Sequence, residues 1–325
     1  MSKPGRNQGE ARSQASESES AVTNQVREFY ETFCFPGVRP LDQDGLILMR
    51  RLDRCLFSSG GERACRRVLD AGCGTGNTTI SLARRFPDVD FLGVDLSAGS
   101  LLIAQGAAKE AGLPNIRFRQ WNLLESELHE GCFDVVLCLG VLHHTANMQS
   151  VLANLRKALT ENGSLYLWVY GQYGRYRHSL NRRLLSMLMS ADPPVDDPVV
   201  LAREFLRSGG QGAVFHDLLG TGPSSALREK ALTEPAWIAD QFLNPNEYML
   251  TMETLLALLR EAGLEIEQWL GLPEKPFRLL GSEVLIERYD RLFAHEQLIA
   301  LDLLLKPDRY FLVLRKFSNA GVLAL

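Results

Sequence analysis

Three glycines alternate with other residues at Gly72, Gly74 and Gly76, directly behind Asp70, in the segment VLDAGCGTGN. Glycine has no Cβ, so this pattern predicts a tight turn whose backbone a ligand can approach closely. The dinucleotide-binding fingerprint would need its third glycine where Asn77 stands, and no phosphate-loop Lys-Ser/Thr pair follows. An acid at this place favours a cationic ligand group over a pyrophosphate. The turn therefore predicts a small-molecule site of another kind.

The segments around this turn determine where its residues lie. Five of them are typical of strands: RRVLDAG, DFLGVDLS, NIRFRQWN, FDVVLCLG and SLYLWVYG. Helical segments separate most of these strands, and this alternation predicts a parallel sheet covered on both faces. The second strand ends at Asp95, which places an acceptor for hydroxyl groups at a strand end.

Four of these segments, in order and spacing, resemble the class I S-adenosylmethionine-dependent methyltransferases over residues 66–169. The likeness is to the small-molecule type, with motifs similar to those of ubiquinone-pathway enzymes. The resemblance implies an α/β fold with a Rossmann-like, seven-stranded, mostly parallel sheet that has an antiparallel edge. It also implies an N-terminal helical cap, an insertion after strand 5, S-adenosyl-L-methionine as cofactor and S-adenosyl-L-homocysteine as product.

The resemblance also implies which residues bind the cofactor. They are Asp70, Gly72, Gly74, Gly76, Asp95, Leu96, Asn122, Leu123 and Leu139. Asp70 would reach the amino group of the cofactor and Asp95 the ribose hydroxyls. The family often has Asp where this chain has Asn122, whose amide oxygen can still accept from the adenine amine. Helix capping by Asp70 and a strand-end turn at Asp95 are the ordinary structural alternatives.

Two adjacent histidines, His143 and His144, follow the fourth strand at the sheet edge where open α/β folds bind ligands. An imidazole titrates near neutrality, so either residue could deprotonate an acceptor, and we favour His144 for this catalytic role. In many small-molecule methyltransferases a pair of this kind only shapes the pocket, and that interpretation stays open here.

The segment after the fifth strand is rich in tyrosine and arginine and has no acid between Tyr166 and Arg183. Because arginine binds carboxylate and phosphate through two hydrogen bonds, the segment suggests an anionic acceptor. A solvated helix face and an RNA contact are the alternatives. The candidate substrate residues are Tyr30, Tyr170, Tyr173, Arg175 and Arg177.

Composition and periodicity divide the chain into five parts. We expect a disordered tail over residues 1–20, a helical cap over 21–62 with a second helix near 45–56, and a cofactor-binding core over 63–170. An insertion that forms a lid over the acceptor would span 171–247, and residues 248–325 would complete the core. Trp237 and residues 240–247, where the lid returns to the core, are further candidates for acceptor contact.

The overall composition excludes several classes of protein. With 46% hydrophobic residues and a net charge of −4, the chain is neither disordered throughout nor suited to coating nucleic acid. No signal peptide, membrane span or metal-ligand spacing is evident, so we expect a cytoplasmic enzyme without a metal. The expected partner is a small-molecule acceptor. Protein or peptide methylation, RNA methylation and a non-catalytic cofactor-binding module are the alternative functions.

Overall fold

The computed structural model describes residues 7–36, 48, 50, 67–125, 130–193, 195–208 and 233–317. Its centre is a sheet of seven strands in the order β3-β2-β1-β4-β5-β7-β6. The strands are β1 (Arg67–Ala71), β2 (Asp90–Asp95), β3 (Ile116–Gln120), β4 (Phe133–Leu139), β5 (Leu159–Tyr170), β6 (Leu264–Trp269) and β7 (Arg309–Lys316).

The pairing of these strands confirms the predicted fold class. Strands β1 to β5 are parallel to one another, with β1 between β2 and β4. Strand β7 runs antiparallel to both of its neighbours, β5 and β6. The sheet is therefore mostly parallel, with antiparallel pairing at one side. The strand order reverses between β1 and β4, and open α/β sheets bind ligands at such a point.

Helices connect the strands, and several begin at a capping side chain. The helices are α1 (Asn7–Thr32), α2 (Asn77–Arg85), α3 (Ala98–Glu110), α4 (Met148–Ala158), α5 (Tyr176–Met189), α6 (Pro198–Ser208), α7 (Pro235–Ile238), α8 (Met252–Glu261), α9 (Glu283–Asp290) and α10 (Ala294–Leu305). Ser97, Asn147 and Thr251 each accept a hydrogen bond from the backbone N–H three residues later, at the starts of α3, α4 and α8. A π-helical turn (Ala239–Leu243) follows α7, and a 3₁₀ turn (Leu142–His144) follows β4.

Alternate residues of the central strands face two separate apolar cores. On β1, Leu69 packs into the core on one face of the sheet and Val68 into the core on the other. On β4, Val136 and Val135 divide in the same way. Burial on both faces explains why the strand segments read as continuous apolar runs.

A third apolar cluster joins the end of α1 to the insertion between β5 and α8. Its buried members are Leu185, Val199, Ala202, Leu206, Trp237, Ile238 and Phe242. Phe33 and Phe35, at and beyond the end of α1, pack against this cluster. The cap and the insertion therefore share one core, which is separate from the two cores of the sheet.

The structure differs from the sequence-based expectation near the N-terminus. Helix α1 begins at Asn7, so residues 7–20, which their composition predicts to be disordered, are helical. Glu, Gln, Ala and Arg have high helix propensity, and lengthening an existing helix costs far less than starting one. The helix expected over residues 45–56 lies outside the described residues except for Leu48 and Arg50. Among the described helices, none is long and apolar enough to cross a membrane.

Candidate functional site

The glycine turn links β1 to α2 and is tied to the neighbouring strand. Gly72, Gly74 and Gly76 all have positive φ, at 83°, 54° and 79°. The N–H groups of Gly72 and Cys73 both donate to the Val94 carbonyl, at 2.8 and 3.0 Å. The cap closes over the turn, because a Cβ at Gly74 would lie 2.1 Å from the Phe35 carbonyl oxygen. The sequence-predicted turn is thus present and is covered by the segment after α1.

Asp95 lies at the end of β2, next to this turn. Its Oδ2 accepts from the Gly74 N–H at 2.8 Å, and its Oδ1 accepts from the Ser97 N–H at 2.9 Å. Burial raises the pKa of this carboxyl above its usual range, and the backbone hydrogen bonds act in the opposite direction. Each oxygen keeps a second lone pair, so the carboxylate can also accept from hydroxyl groups of a ligand.

Asp70, at the end of β1, is buried, with 3% of its surface exposed. The Thr79 hydroxyl donates to its Oδ2 at 2.6 Å. Burial raises the pKa of Asp70 to about 6. No lysine, arginine or histidine of the described chain forms an ion pair with it.

A cavity of about 410 Å³ lies above the ends of β1, β2 and β4. The sequence-predicted residues that line it are Asp70, Gly72, Gly74, Asp95, Leu96, Asn122, Leu123, Leu139, His144, Tyr30 and Tyr170. Gly76 lies beneath the turn, where a Cβ would be 2.9 Å from the Ala104 Cβ. One cavity therefore joins the predicted cofactor residues to part of the predicted catalytic and substrate set.

The two histidines have different surroundings. The Nδ1 of His144 is 2.7 Å from the Asn246 carbonyl oxygen, and because a carbonyl only accepts, Nδ1 carries the hydrogen. In the neutral imidazole the lone pair is then on Nε2, and His144 lines the cavity. His143 is fully buried, does not line the cavity, and stacks near Tyr170 at 4.0 Å between ring centroids. Burial lowers the pKa of His143 well below its usual value.

The side of the cavity opposite the glycine turn is held by a network of side chains. The Tyr30 hydroxyl donates to Asp240 Oδ1 at 2.9 Å. The Gln241 amide nitrogen is 2.9 Å both from Asp240 Oδ2 and from the Tyr170 hydroxyl. Burial raises the pKa of Tyr30 and of Tyr170, so both phenols stay protonated. The π-helical turn of the insertion thereby contacts α1 and β5 together.

Behind this network, two arginines converge on one buried acid. The Arg175 guanidinium stacks on the Tyr170 ring at 3.6 Å and lies 3.7 Å from Glu247. Arg182 pairs with the same Glu247 oxygen at 2.5 Å, and the Glu247 side chain is fully buried. The two cations therefore neutralise an acid inside the insertion and do not face the cavity.

Comparison with known proteins agrees with the geometry of the cofactor side of the cavity, which is formed by Asp70, the glycine turn and Asp95. Residues 69–165 match a family described as a methyltransferase domain. An uncharacterized protein of Synechococcus sp. is 30% identical over 254 residues, which are 73% of this chain and 57% of that protein. A ubiquinone biosynthesis O-methyltransferase of Acinetobacter baumannii is 30% identical over 129 residues, or 39% of this chain and 52% of that enzyme. The chain therefore spans only about half of these relatives.

A solved structure, that of PKMT2 from Rickettsia typhi in complex with AdoHcy, shares the fold. Its TM-score is 0.57 at 16% identity, covering 78% of this chain and 49% of that chain. The strand order, the glycine turn and the family match decide the assignment. The chain carries a class I S-adenosylmethionine-dependent methyltransferase domain.

The residues of this methyltransferase domain fit its cofactor. Asp70 and Asp95 supply two carboxylates, and Leu96 and Trp121 supply apolar surface in the same cavity. Asn122 lines the cavity as well, although its Oδ1 already accepts from the Leu124 N–H at 3.1 Å. The Asn122 oxygen thus keeps one lone pair for an adenine amine.

The structure does not bring Arg175 and Arg177 together at the cavity, as an anion clamp would require. Arg175 is committed to Gln241 and Glu247, because a buried carboxylate needs a cation more than the solvent-facing cavity does. Arg177 is exposed on α5, and Tyr173 is 38% exposed. None of these three side chains lines the cavity.

One cavity residue, Trp168, escaped the sequence analysis. Trp168 lies on β5 two residues before Tyr170, and strand periodicity could have placed the two on one face. Trp237 and Asp240 line the cavity too, in agreement with the weaker suggestion that the end of the lid contacts the acceptor. Gln241 belongs to the segment 240–247 that was suggested, but its individual contacts could not be predicted, because they depend on partners far away in the chain.

Proposed function

We propose that the protein is an active methyltransferase that transfers the methyl group of S-adenosyl-L-methionine to a nucleophilic atom of a small-molecule acceptor. The observation that carries this proposal is the single cavity that joins Asp70 and Asp95 to His144, Tyr30 and Tyr170. A donor bound at the carboxylates and an acceptor near His144 would share one enclosed space.

When bound, the cofactor supplies a sulfonium-activated methyl group, and the protein's task is to align and deprotonate the acceptor. Asp95 and Asp70 would hold the two ends of the donor, and alignment of this kind supplies up to roughly 7–11 kcal/mol in favourable systems. His144, with its hydrogen on Nδ1, would remove the acceptor proton at Nε2, which typically adds ~10²–10⁴-fold in rate.

Two features support a small acceptor. The cavity volume of about 410 Å³ lies within the roughly 300–1,000 Å³ range of small-molecule sites. The cap and the insertion, joined through their own apolar cluster, both contribute to its wall. The relative from Acinetobacter baumannii is named for ubiquinone biosynthesis, which is small-molecule chemistry.

Calorimetry with S-adenosylhomocysteine, followed by transfer of a radioactive methyl group to fractionated cell extract, tests the proposal. We expect binding of S-adenosylhomocysteine and label in the small-molecule fraction. Label in the protein fraction alone would indicate a protein acceptor, and binding without label in either fraction would indicate a non-catalytic cofactor-binding module. Absence of binding would contradict the proposal.

The role of His144 has its own test in the variant His144→Asn. The Asn amide can still donate to the Asn246 carbonyl but cannot accept a proton, so kcat should fall by ~10²–10⁴-fold while S-adenosylhomocysteine binding is kept. His295→Asn, away from the cavity, serves as control. An unchanged kcat in His144→Asn would leave His144 a pocket-shaping residue.

A further inference from the structure

The acceptor side of the cavity contains an acid that the proposed function does not yet use. Asp240 lies in the π-helical turn Ala239–Leu243, is 4% exposed, and lines the cavity together with Gln241. Such turns occur mostly where a helix has been adapted to a functional site. Its place in the cavity wall raises the question of which ligand group this carboxylate binds.

The hydrogen-bond network shows which groups donate to Asp240. A guanidinium can only donate, so the Arg175 contact to Gln241 Oε1 at 3.2 Å turns the Gln241 amide nitrogen towards Asp240. Asn244 accepts from the Asn246 N–H through Oδ1, so its amide nitrogen donates to the Tyr30 hydroxyl.

Because the Tyr30 hydroxyl accepts from Asn244, its own hydrogen is free to donate to Asp240 Oδ1. Both oxygens of Asp240 consequently receive hydrogen bonds, from Tyr30 and from Gln241, and neither needs to donate. This is the bonding pattern of an ionised carboxylate, which accepts only.

This carboxylate has no cation beside it in the part of the chain that the structure describes. The two nearby arginines, Arg175 and Arg182, are paired with Glu247. No lysine or arginine of the described residues lines the cavity. An unpaired buried carboxylate is costly, so the site is complete only when a ligand brings a positive charge or strong donors.

Aromatic rings surround the same space. Tyr30, Trp168, Tyr170 and Trp237 all line the cavity together with Asp240. The face of an aromatic ring attracts a cation, whereas it offers nothing to a carboxylate or phosphate. The aromatic walls and the acid therefore favour the same ligand charge.

We propose that Asp240 and the surrounding aromatic side chains bind a protonated amine carried by the methyl acceptor. This inference rests on the proposed function and names its substrate class. The acceptor would thus be cationic, whereas the arginine-rich segment of the sequence suggested an anionic acceptor. The amine can belong to a free small molecule or to a lysine side chain, and the two sources share this chemistry.

The test compares the binding affinities of small probes that share one carbon skeleton. They are added to the full chain saturated with S-adenosylhomocysteine. Phenethylamine, 2-phenylethanol and 3-phenylpropionate differ in the terminal group, and Nα-acetyl-lysine amide represents the lysine source. Binding is followed by calorimetry and by the total tryptophan fluorescence, to which Trp121, Trp168 and Trp237 of the cavity wall contribute. We expect an amine to bind at least about tenfold more tightly than the alcohol, and the carboxylate most weakly. The tighter of the two amines identifies the source.

The variant Asp240→Asn removes the charge and keeps the side-chain volume. We expect amine affinity to fall at least about tenfold, with S-adenosylhomocysteine affinity unchanged. Asp88→Asn, an exposed acid away from the cavity, is the matched control and should change neither affinity. Thermal unfolding of the variant checks its folding, and the ranking of the probes on the natural chain does not depend on any variant.

Two results would overturn the inference. One is the absence of a preference for either amine on the natural chain, including no binding of any probe. The other is an Asp240→Asn variant that loses S-adenosylhomocysteine affinity as strongly as amine affinity, which would assign Asp240 to the cofactor. Failure of the natural chain to bind S-adenosylhomocysteine would instead contradict the proposed function itself.

Discussion

The two sides of the cavity are built in different ways. On the cofactor side, Asp95 is held by backbone N–H groups of Gly74 and Ser97, which are 21 and 2 residues away in the chain. On the acceptor side, Tyr30 bonds Asp240 and Asn244, which are 210 and 214 residues away. The first side is therefore encoded in short motifs, and the second exists only once the cap and the insertion have packed together.

The two sides of the cavity also depend on different interactions for their stability. The cofactor side depends on the main-chain shape of one turn. That turn contacts the segment after α1 through Gly74, which lies against Phe35, and through Thr75, which donates to the Phe35 and Pro36 carbonyls. The acceptor side depends on charged and amide side chains that fix one another's orientation. Variants should consequently damage one side without the other, and the four predictions below begin with the largest effect.

Gly74→Ala should destabilise the protein by disrupting the contact between the glycine turn and the segment after α1. An added Cβ would meet the Phe35 carbonyl oxygen at 2.1 Å, and φ of 54° is unfavourable for an L-residue. We expect a loss of roughly 2–5 kcal/mol in the free energy of unfolding, measured with urea. Gly112→Ala is the matched control, because φ is 64° with no described atom within 4 Å, and it should cost only about 1–2 kcal/mol. Equal losses would show that the clash with the cap is relieved at no cost.

Arg175→Gln should damage the acceptor side alone. It removes one partner of the buried Glu247 and the group that orients Gln241. We expect a loss of roughly 2–3 kcal/mol in unfolding free energy, less than for a buried pair that loses its only partner, because Arg182 stays on Glu247. S-adenosylhomocysteine affinity should be kept. Arg183→Gln, at an exposed position of α5, should change stability little, and a similar loss there would contradict the buried network.

Asp95→Ala should damage the cofactor side alone. Loss of charged hydrogen bonds to the ribose hydroxyls should weaken S-adenosylhomocysteine binding by ~1.5–3 kcal/mol, measured by calorimetry. Asp90→Ala, at the exposed start of the same strand, provides the control and should bind normally. Normal binding by Asp95→Ala would remove Asp95 from the site.

The prediction with the smallest expected effect concerns the pH dependence of S-adenosylhomocysteine binding. Burial raises the pKa of Asp70 to about 6 from an ordinary 3.8. The folded protein without ligand therefore holds this proton more tightly than the unfolded chain. The resulting stabilisation is present below pH 3.8 and is lost as the pH rises through about 6.

Binding of a cationic ligand group needs the ionised form and has the opposite dependence. S-adenosylhomocysteine affinity should fall by up to ~10-fold per pH unit below pH 6, as followed by calorimetry in matched buffers. Asp70→Asn should flatten this profile, whereas Asp90→Asn should leave it unchanged. A profile that stays steep in Asp70→Asn would assign the titration to another group.

The positions of the predicted cofactor residues follow from local sequence information, whereas their binding of the cofactor stays a prediction. Asp70, the glycine turn and Asp95 lie within one strand–turn–helix–strand unit, and the structure places all of them where the pattern indicated. The burial of both sheet faces followed from the apolar runs in β1 and β4. The helical state of residues 7–20 was missed, since low hydrophobicity reports a lack of core contacts and says little about helix propensity.

The acceptor side could not be derived in the same way. An excess of arginine over acid within residues 166–183 suggested an anion site, but the compensating acid, Glu247, lies outside that window. Asp240 and Gln241 acquire their roles from Tyr30, Tyr170 and Arg175, which are distant in the chain. Charge balance inside a folded insertion depends on pairing across the whole segment, which no local window displays.

The position of β7 has a consequence for the order of assembly. Strand β5 pairs with β7, Leu165 lying opposite Leu314, and β6 reaches the sheet only through β7. Strand β6 therefore has no template until Arg309–Lys316 has been added, although it precedes β7 in the chain. Contacts between such distant segments slow folding, so closure of this side of the sheet should be a late event. The end of β5 that carries Tyr170 pairs with Arg309 of β7, so the strand that supports this part of the cavity wall would be completed only at that stage.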